Sequence, residues 1–204
     1  MIKILGVYIR YDLNFDTHVG KLFGTLHNRI HQVRTITKYT TFKTRLSFIN
    51  AYVIGKLNYI LPLYLNLNQN IINKLHKVVM TSARCAIGSY CFKKSIKYIL
   101  KKCKLLNIKN MILYSSLNFI HKIISEKKPK ALTDTYKNLI TRRAVVDIYP
   151  FYCPKQKSLK NFILYKGISL YNQLSTNFKS FTVKKFKTSI RKYIEQNYTS
   201  DTMD

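Results

Sequence analysis

The sequence predicts a mainly α protein: a short N-terminal β-strand or hairpin, then a basic helical bundle, then a smaller C-terminal α unit. Two observations carry this. From residue 16 onward apolar side chains recur at three- and four-residue steps through most of the chain, whereas the two-residue alternation of a strand is confined to its first residues. Hydrophobic residues make up 47% and aromatic residues 13% of the 204, enough to fill a core. At this length one or two compact domains are expected.

Ile2 and Ile4, with Val7 and Ile9, alternate around Gly6, and residues 10–14 read as a turn. Val19, Leu22, Phe23, Leu26, Ile30 and Val33 then form the apolar stripe of a first helix, for which Asp16 or Thr17 is the expected N-cap. A second helix begins near Thr41, carries Phe42, Leu46, Ile49, Val53 and Leu57 on one side and ends before Pro62. The third runs from about Asn70 to Ile87 through Ile71, Leu75, Val78, Val79, Ala83 and Ala86, with Gly88 as its C-cap. Three amphipathic helices with short connections make a bundle. A lysine-dense segment, 93–104, leads to a further helix through Leu113, Leu117, Ile120 and Ile124, which Glu126 to Pro129 end. Pro150, Pro154 and mixed polarity mark 130–160 as a linker or extended loops. Tyr165 to Leu174, a turn over Ser175 to Ser180, and a last helix capped by Thr182 with Phe186, Ile190, Tyr193 and Ile194 inside complete the chain. The expected divisions are 1–15, a β element; 16–90, the three-helix bundle; 91–129, a basic helical extension; and 130–204, a linker and terminal helix.

Charge narrows the function. The formal net charge is +28, from 36 Lys and Arg against 8 Asp and Glu. Between Thr17 and Ser125 there is no Asp or Glu, while that stretch carries half of the cations. Two-metal phosphoryl transfer, a glycosidase pair and an Asp-oriented His all need converging carboxylates; the early candidates are Asp12 and Asp16 alone. No catalytic residue, metal ligand, cofactor or small-molecule substrate is therefore assigned. A/T-rich codons favour Lys, but they favour Asp and Glu as well, so the asymmetry points to a polyanionic partner, nucleic acid before an anionic membrane surface. Lys21, Thr25, Asn28, Arg29 and Gln32 project opposite the first stripe, with Arg34 and Lys38 at its end. Lys74, Lys77, Thr81 and Arg84 line the third helix. Such rows suit a phosphate backbone. The alternative is a solvated face, which ordinarily mixes signs, since like charges four apart cost about 0.2–0.5 kcal/mol each.

Lys93, Lys94, Lys97, Lys101, Lys102 and Lys104 form the densest and least specific cluster. Tyr90 and Tyr98, interleaved with them, are candidate base-stacking residues, although half-buried core positions are the commoner use of tyrosine. His18, His27 and His31 share a helix without an acidic orienter or a nucleophile. Cys85, Cys91, Cys103 and Cys153 lack C-x-x-C spacing; a zinc site would have to recruit His76 or His121, so free buried thiols are expected. No signal peptide opens the chain, and Lys56, Asn58, Pro62 and Asn66 interrupt its most apolar segment, 51–67, so no membrane span and an intracellular, cytoplasmic or nuclear location are expected.

The order of the pieces resembles one family. Lys3-Ile-Leu-Gly-Val-Tyr-Ile followed by Asp12-Leu-Asn-Phe-Asp-Thr-His18 is similar to the segment that closes the polymerase domain of non-LTR (LINE, jockey-like) retrotransposon reverse transcriptases. Tyr52-Val-Ile-Gly-Lys-Leu-Asn-Tyr59 with Pro62 and Tyr64 resembles their next segment. Leu75 to Arg84 with Gly88 resembles the L-x-x-x-x-x-x-A-x-R helix after it. Leu170-Tyr-Asn-Gln-Leu174 and Phe186 to Ile194 resemble the closing L-W-N-x-L-P and F-K-x-x-L-x-x-x-L patterns. Tyr64 and Tyr171 stand where the family has Trp, and Ser175 where it has Pro. The resemblance covers nearly the whole chain and implies the end of the palm with a primer-grip-like element, Leu5 and Gly6, in 1–15 and a thumb in 16–90. The family's catalytic aspartates precede the strand at which this chain opens, so the resemblance implies a truncated RNA-directed DNA polymerase. Such a fragment would hold RNA or an RNA–DNA duplex through phosphates, with the rest of the polymerase as a further partner, and would not polymerise alone. The rival expectation is a structural RNA-binding protein, such as an organellar ribosomal protein.

Overall fold

A computed structural model of the chain describes residues 1–10, 15–88, 94–127, 136–140, 146–150 and 163–197. Asp12, Tyr90, Cys91, Lys93, Cys153 and Pro154, each given a role above, lie outside the described residues. The protein is mainly α with a short antiparallel hairpin at its N-terminus, as expected.

Two compact units are present: Met1–Ile60 with Leu67–Met111, and Leu61–Asn66 with Ile112–Asp204. The first opens with β1 (Ile2–Ile4) and β2 (Val7–Ile9), paired antiparallel in the register Ile2↔Ile9, Lys3↔Tyr8 and Ile4↔Val7. Helix α1 (Asp16–Ile36) follows, burying Val19, Leu22, Leu26, Ile30 and Val33. Its N-cap is Phe15, not Asp16 or Thr17, and no side chain caps it. Buried Phe15 anchors the start, its carbonyl accepts from the Val19 N–H at 2.9 Å, and Asp16 falls inside the first turn, where the helix dipole favours a carboxylate.

A 3-10 turn (Thr37–Tyr39) leads to α2 (Phe42–Ile49), capped by the Thr41 hydroxyl, which accepts from the Thr44 N–H at 3.3 Å. The second helix does not run on regularly. It passes through a π turn, Asn50–Ile54, into the single turn α3 (Gly55–Asn58). The Gly55 N–H reaches back to the Asn50 carbonyl, and a Cβ at residue 55 would stand 3.2 Å from that oxygen, so glycine admits the wider turn. Helix α4 (Gln69–Ile87) is capped by Asn68 and ends, as expected, at Gly88, whose φ of 96° strains any other residue. It buries Leu75, Val78, Val79, Met80, Ser82, Ala83, Cys85 and Ala86 against α1, α2 and α5 (Ile96–Cys103).

One cation ties this unit together. Arg45, in the second turn of α2, donates through Nη1 to the carbonyls of Thr37 (2.9 Å) and Thr40 (2.6 Å) and through Nε to that of Ala86 (2.8 Å). The ends of the α1 extension and of α4 thus meet on one half-buried guanidinium.

In the second unit, α6 (Ile108–Glu126) contributes all but its first turn, beside a 3-10 turn (Leu61–Asn66). The expected linker contains a hairpin instead: β3 (Tyr136–Ile140) pairs with β4 (Val146–Pro150), Tyr136 opposite Pro150. Pro150 had suggested irregular chain, but the last residue of a strand can dispense with its N–H. A π turn (Ile163–Gly167) enters α7 (Ile168–Asn172); residues expected as a plain turn form the short α8 (Thr176–Lys179); α9 (Val183–Asn197) is the last element among the described residues, the Thr182 hydroxyl before it accepting from the Lys185 N–H at 3.4 Å.

Within the core of this unit, His121 is enclosed by aromatic residues. The imidazole stacks on Phe186 at 3.9 Å and 8°, its Nε2–H donates to the Phe181 carbonyl at 2.9 Å, and Nδ1 accepts from the Tyr171 hydroxyl at 2.9 Å. That bonding describes a neutral ring, and burial holds its pKa below the ordinary value. Burial also pushes the Tyr171 phenol up to about 12. His121 is therefore a core residue, both of its nitrogens committed to the fold.

Two outcomes are expected. Arg45→Met leaves three carbonyls without their donor and lowers stability by about 2–4 kcal/mol in chemical denaturation, with Arg45→Lys intermediate. A cost below about 0.5 kcal/mol would show that the tie is incidental. Secondly, His18, His76 and His121 are all depressed, chiefly by burial. The unfolded chain protonates these groups near pH 6.5, before the folded one does, so stability is retained above that pH and lost as pH falls below it. Thermal melts should drop between about pH 7.5 and pH 5, and by less in His121→Asn. A melting temperature that rises on acidification contradicts this account.

Candidate nucleic-acid interface

The hairpin presents its turn outward. Leu5 and Gly6 are the two central residues, with φ of 47° and 84°, the left-handed pair that a two-residue hairpin requires. Gly6 adopts this at no cost, whereas Leu5, 83% exposed, gains no burial for a conformation that costs on the order of 1 kcal/mol. The Tyr59 hydroxyl, from beyond α3, donates to the Leu5 carbonyl at 3.3 Å.

Register then sets Lys3 opposite Tyr8. The Lys3 ammonium lies 5.4 Å from the Tyr8 ring centroid and that of Lys21 only 3.7 Å from it. The Tyr8 N–H donates to His18 Nδ1 at 3.4 Å, joining β2 to the first turn of α1. Two titrating groups are shifted here. The hydrogen bond and charge of Lys21, with the charge of Lys3, hold the phenol of Tyr8 below its usual value. Burial, aided by the charge of Lys56, holds the His18 imidazole down. The lowered phenol is a response to positive charge, whereas the lowered imidazole is chiefly a response to burial.

The cations singled out from sequence divide into two kinds. Lys21, Lys38, Lys74 and Lys77 are exposed. Two of the arginines make hydrogen bonds within the fold. Arg29 Nη1 donates to the Tyr52 carbonyl in the π turn at 2.6 Å, and Arg34 Nε donates to Cys85 Sγ on α4 at 3.2 Å. At 100° per residue these two lie about 140° apart around α1, one on each flank of its apolar stripe. Arg84 is half-buried, its Nε enclosed without a hydrogen-bond partner among the described residues. Lys21 and Arg29 therefore meet the hairpin and the π turn respectively, while Arg34 and Arg84 gather at the C-terminal end of α4.

On α5, Lys97, Lys101 and Lys102 are exposed, and Lys102 Nζ stands 5.7 Å from the Phe42 ring centroid and 5.9 Å from that of Tyr98. Lys122–Glu126 and Arg191–Glu195 form ion pairs in the second unit. Cys85 and Cys103 are buried, the Cys103 thiol donating to the Ala83 carbonyl at 3.6 Å. Among the described residues no three His, Cys, Asp or Glu side chains gather as metal ligands, and no helix is long and apolar enough to cross a membrane.

Sequence reasoning passed over Tyr8, Arg45 and the exposure of several tyrosines. Tyr64 and Tyr171 are buried and Tyr8, Tyr114, Tyr165 and Tyr193 half-buried, as expected of most, but Tyr39, Tyr52, Tyr59 and Tyr98 are exposed. The Lys3–Tyr8 juxtaposition follows from a two-residue turn at Leu5-Gly6, a pair that lacks the Asn or Asp by which such turns are read.

Comparison with family models, with curated proteins and with solved structures finds no match to this chain.

Replacing Lys21, Lys74 or Lys77 by Ala should alter folding stability by no more than about 0.5 kcal/mol, whereas Arg29→Ala, which strips the donor from the Tyr52 carbonyl, should cost about 1–2 kcal/mol. Urea unfolding of the four variants checks this, and equal losses would contradict the division between exposed lysines and engaged arginine.

Proposed function

We propose that this chain is a nucleic-acid-binding part of a retrotransposon RNA-directed DNA polymerase, holding a template–primer duplex of RNA or RNA–DNA through its phosphates. The observation that carries the reading is the uncompensated charge of the first unit. Exposed Lys21, Lys74 and Lys77 stand on helices with no carboxylate anywhere from Thr17 to Ser125, and Lys3 and Lys21 gather on Tyr8. A polyanion that releases condensed counterions is the natural complement of such a surface.

The retroelement assignment rests on the resemblance of four ordered segments, and two structural details support it. Tyr64 and Tyr171, at the positions where the family has Trp, are fully buried aromatic residues. Leu5-Gly6, the primer-grip-like pair, forms a protruding, strained turn rather than a packed one. The thumb is then the α1, α2 and α4 bundle. The reading assigns the chain no catalytic role of its own and places it in the cytoplasm or nucleus, in keeping with two buried cysteine thiols.

Binding to an RNA–DNA hybrid should be strong at low salt and fall steeply as salt rises, with similar affinity for unrelated sequences. The triple variant Lys21→Ala, Lys74→Ala, Lys77→Ala should lower the log–log salt slope by about one unit for each phosphate left without its lysine. The matched triple variant at Lys97, Lys101 and Lys187 should lose clearly less. Equal losses would favour a structural RNA-binding protein with charge engaged on all sides; a wild-type slope near zero would remove phosphate binding altogether.

A further inference from the structure

The segment that passes through the π turn buries Ile49, Val53, Ile54 and Leu57, yet leaves Tyr52 half exposed, at 50%. An isolated exposed tyrosine calls for no explanation. This one is fixed on three sides. Its ring lies against Phe48, one α2 turn earlier, with centroids 5.8 Å apart and planes 19° from parallel. The Arg29 guanidinium stands 5.8 Å from its centroid, and Arg29 Nη1 is bonded to the Tyr52 carbonyl. Gly55 admits the π turn that carries Tyr52, so the ring's position is built into the backbone as well.

We propose that the Phe48–Tyr52 ring pair, with Arg29 pinned beside it, is a stacking site for an unpaired nucleobase of single-stranded RNA or DNA. A base stacks on a flat, exposed, pre-ordered aromatic face, and an adjacent guanidinium adds cation–π attraction and a partner for the flanking phosphate. Pre-ordering matters because a ring already held in place loses little freedom on binding. Charge decides between partners. The stretch from Thr17 to Ser125, without a carboxylate, attracts a polyanion more strongly than a basic or neutral-rimmed protein surface, and Lys56, close enough to His18 to depress its pKa, continues the positive field past the π turn. A duplex keeps its base faces stacked inside, so the occupant must be a single-stranded segment. This goes beyond phosphate contacts to a duplex and takes from the proposed function only that the ligand is nucleic acid.

The chain contains no Trp, so Tyr52→Trp installs a unique fluorescent reporter at the site. Three probes of matched phosphate number are titrated at fixed ionic strength: oligothymidylate, the corresponding abasic deoxyribose-phosphate oligomer, and a blunt duplex. Quenching of the reporter by oligothymidylate and not by the abasic oligomer is expected. Against the otherwise unmodified protein, Tyr52→Ala should weaken oligothymidylate binding roughly ten-fold, the scale of a single base stack, leave abasic binding unchanged, and be rescued by Tyr52→Phe. Equal affinity of the wild type for the base-bearing and abasic oligomers, or an unchanged oligothymidylate affinity in Tyr52→Ala, overturns the stacking site while leaving phosphate binding intact. If none of the three probes binds at low salt, the phosphate reading falls with it, and the aromatic pair is a protein-docking feature or a surface residue only.

Discussion

The first unit depends on Arg45. A helix end leaves carbonyls without intrahelical partners and with partial negative charge, and two such ends, at the close of the α1 extension and of α4, converge on one side of α2. One guanidinium with its donors in a fixed fork satisfies Thr37, Thr40 and Ala86 together. Lysine would carry the charge without the geometry. Because α4 is also the helix against which α1, α2 and α5 pack, fixing its end relative to α1 and α2 fixes the two helices, α1 and α4, that display Lys21, Lys74 and Lys77.

Arginine and lysine are used differently in this unit. Arg29, Arg34 and Arg45 donate to a π-turn carbonyl, a thiol and helix ends, so each guanidinium keeps its charge but is tied to the fold by hydrogen bonds. Lys21, Lys38, Lys74 and Lys77 remain at the surface. With so few carboxylates available, the backbone takes the place that Asp and Glu fill in an ordinary protein. The exposed lysines form the surface proposed to meet nucleic acid.

The second unit solves a different problem, that of joining short, irregular elements. The π turn 163–167, α7, α8 and α9 are held to α6 by a core of Leu117, Ile120, Ile163, Ile168, Tyr171, Phe186, Ile190 and Ile194. His121 gives that core polar specificity. Its two ring nitrogens and its face are all engaged, by Tyr171, Phe181 and Phe186, from three separate segments. At Gly167 a Cβ would come within 3.3 Å of Ile163 and Ile120 side-chain atoms, so the π turn and α6 approach as closely as glycine permits.

Periodicity by itself determined α1, α4, α6 and α9, because a stripe such as Val19–Leu22–Leu26–Ile30–Val33 has one way to be buried, and Gly88 and Thr182 mark their helix boundaries by local backbone chemistry. Composition by itself determined the excess of positive charge. Local signals failed where the determinant was not local. Phe15 displaced the expected Asp16 cap because burying an aromatic ring outweighs one capping bond. The π turn depends on room around Gly55, and the 136–150 hairpin is a pairing between segments that Pro150 had made look irregular. Only the tertiary structure decided which cations are spent inside the fold and which are left outside. Arg29, Arg45 and Lys77 read alike in a basic helical sequence; the first two differ from the third because carbonyls from distant residues, Tyr52 and Ala86, arrive beside them, and such meetings are set by packing rather than by spacing along the chain.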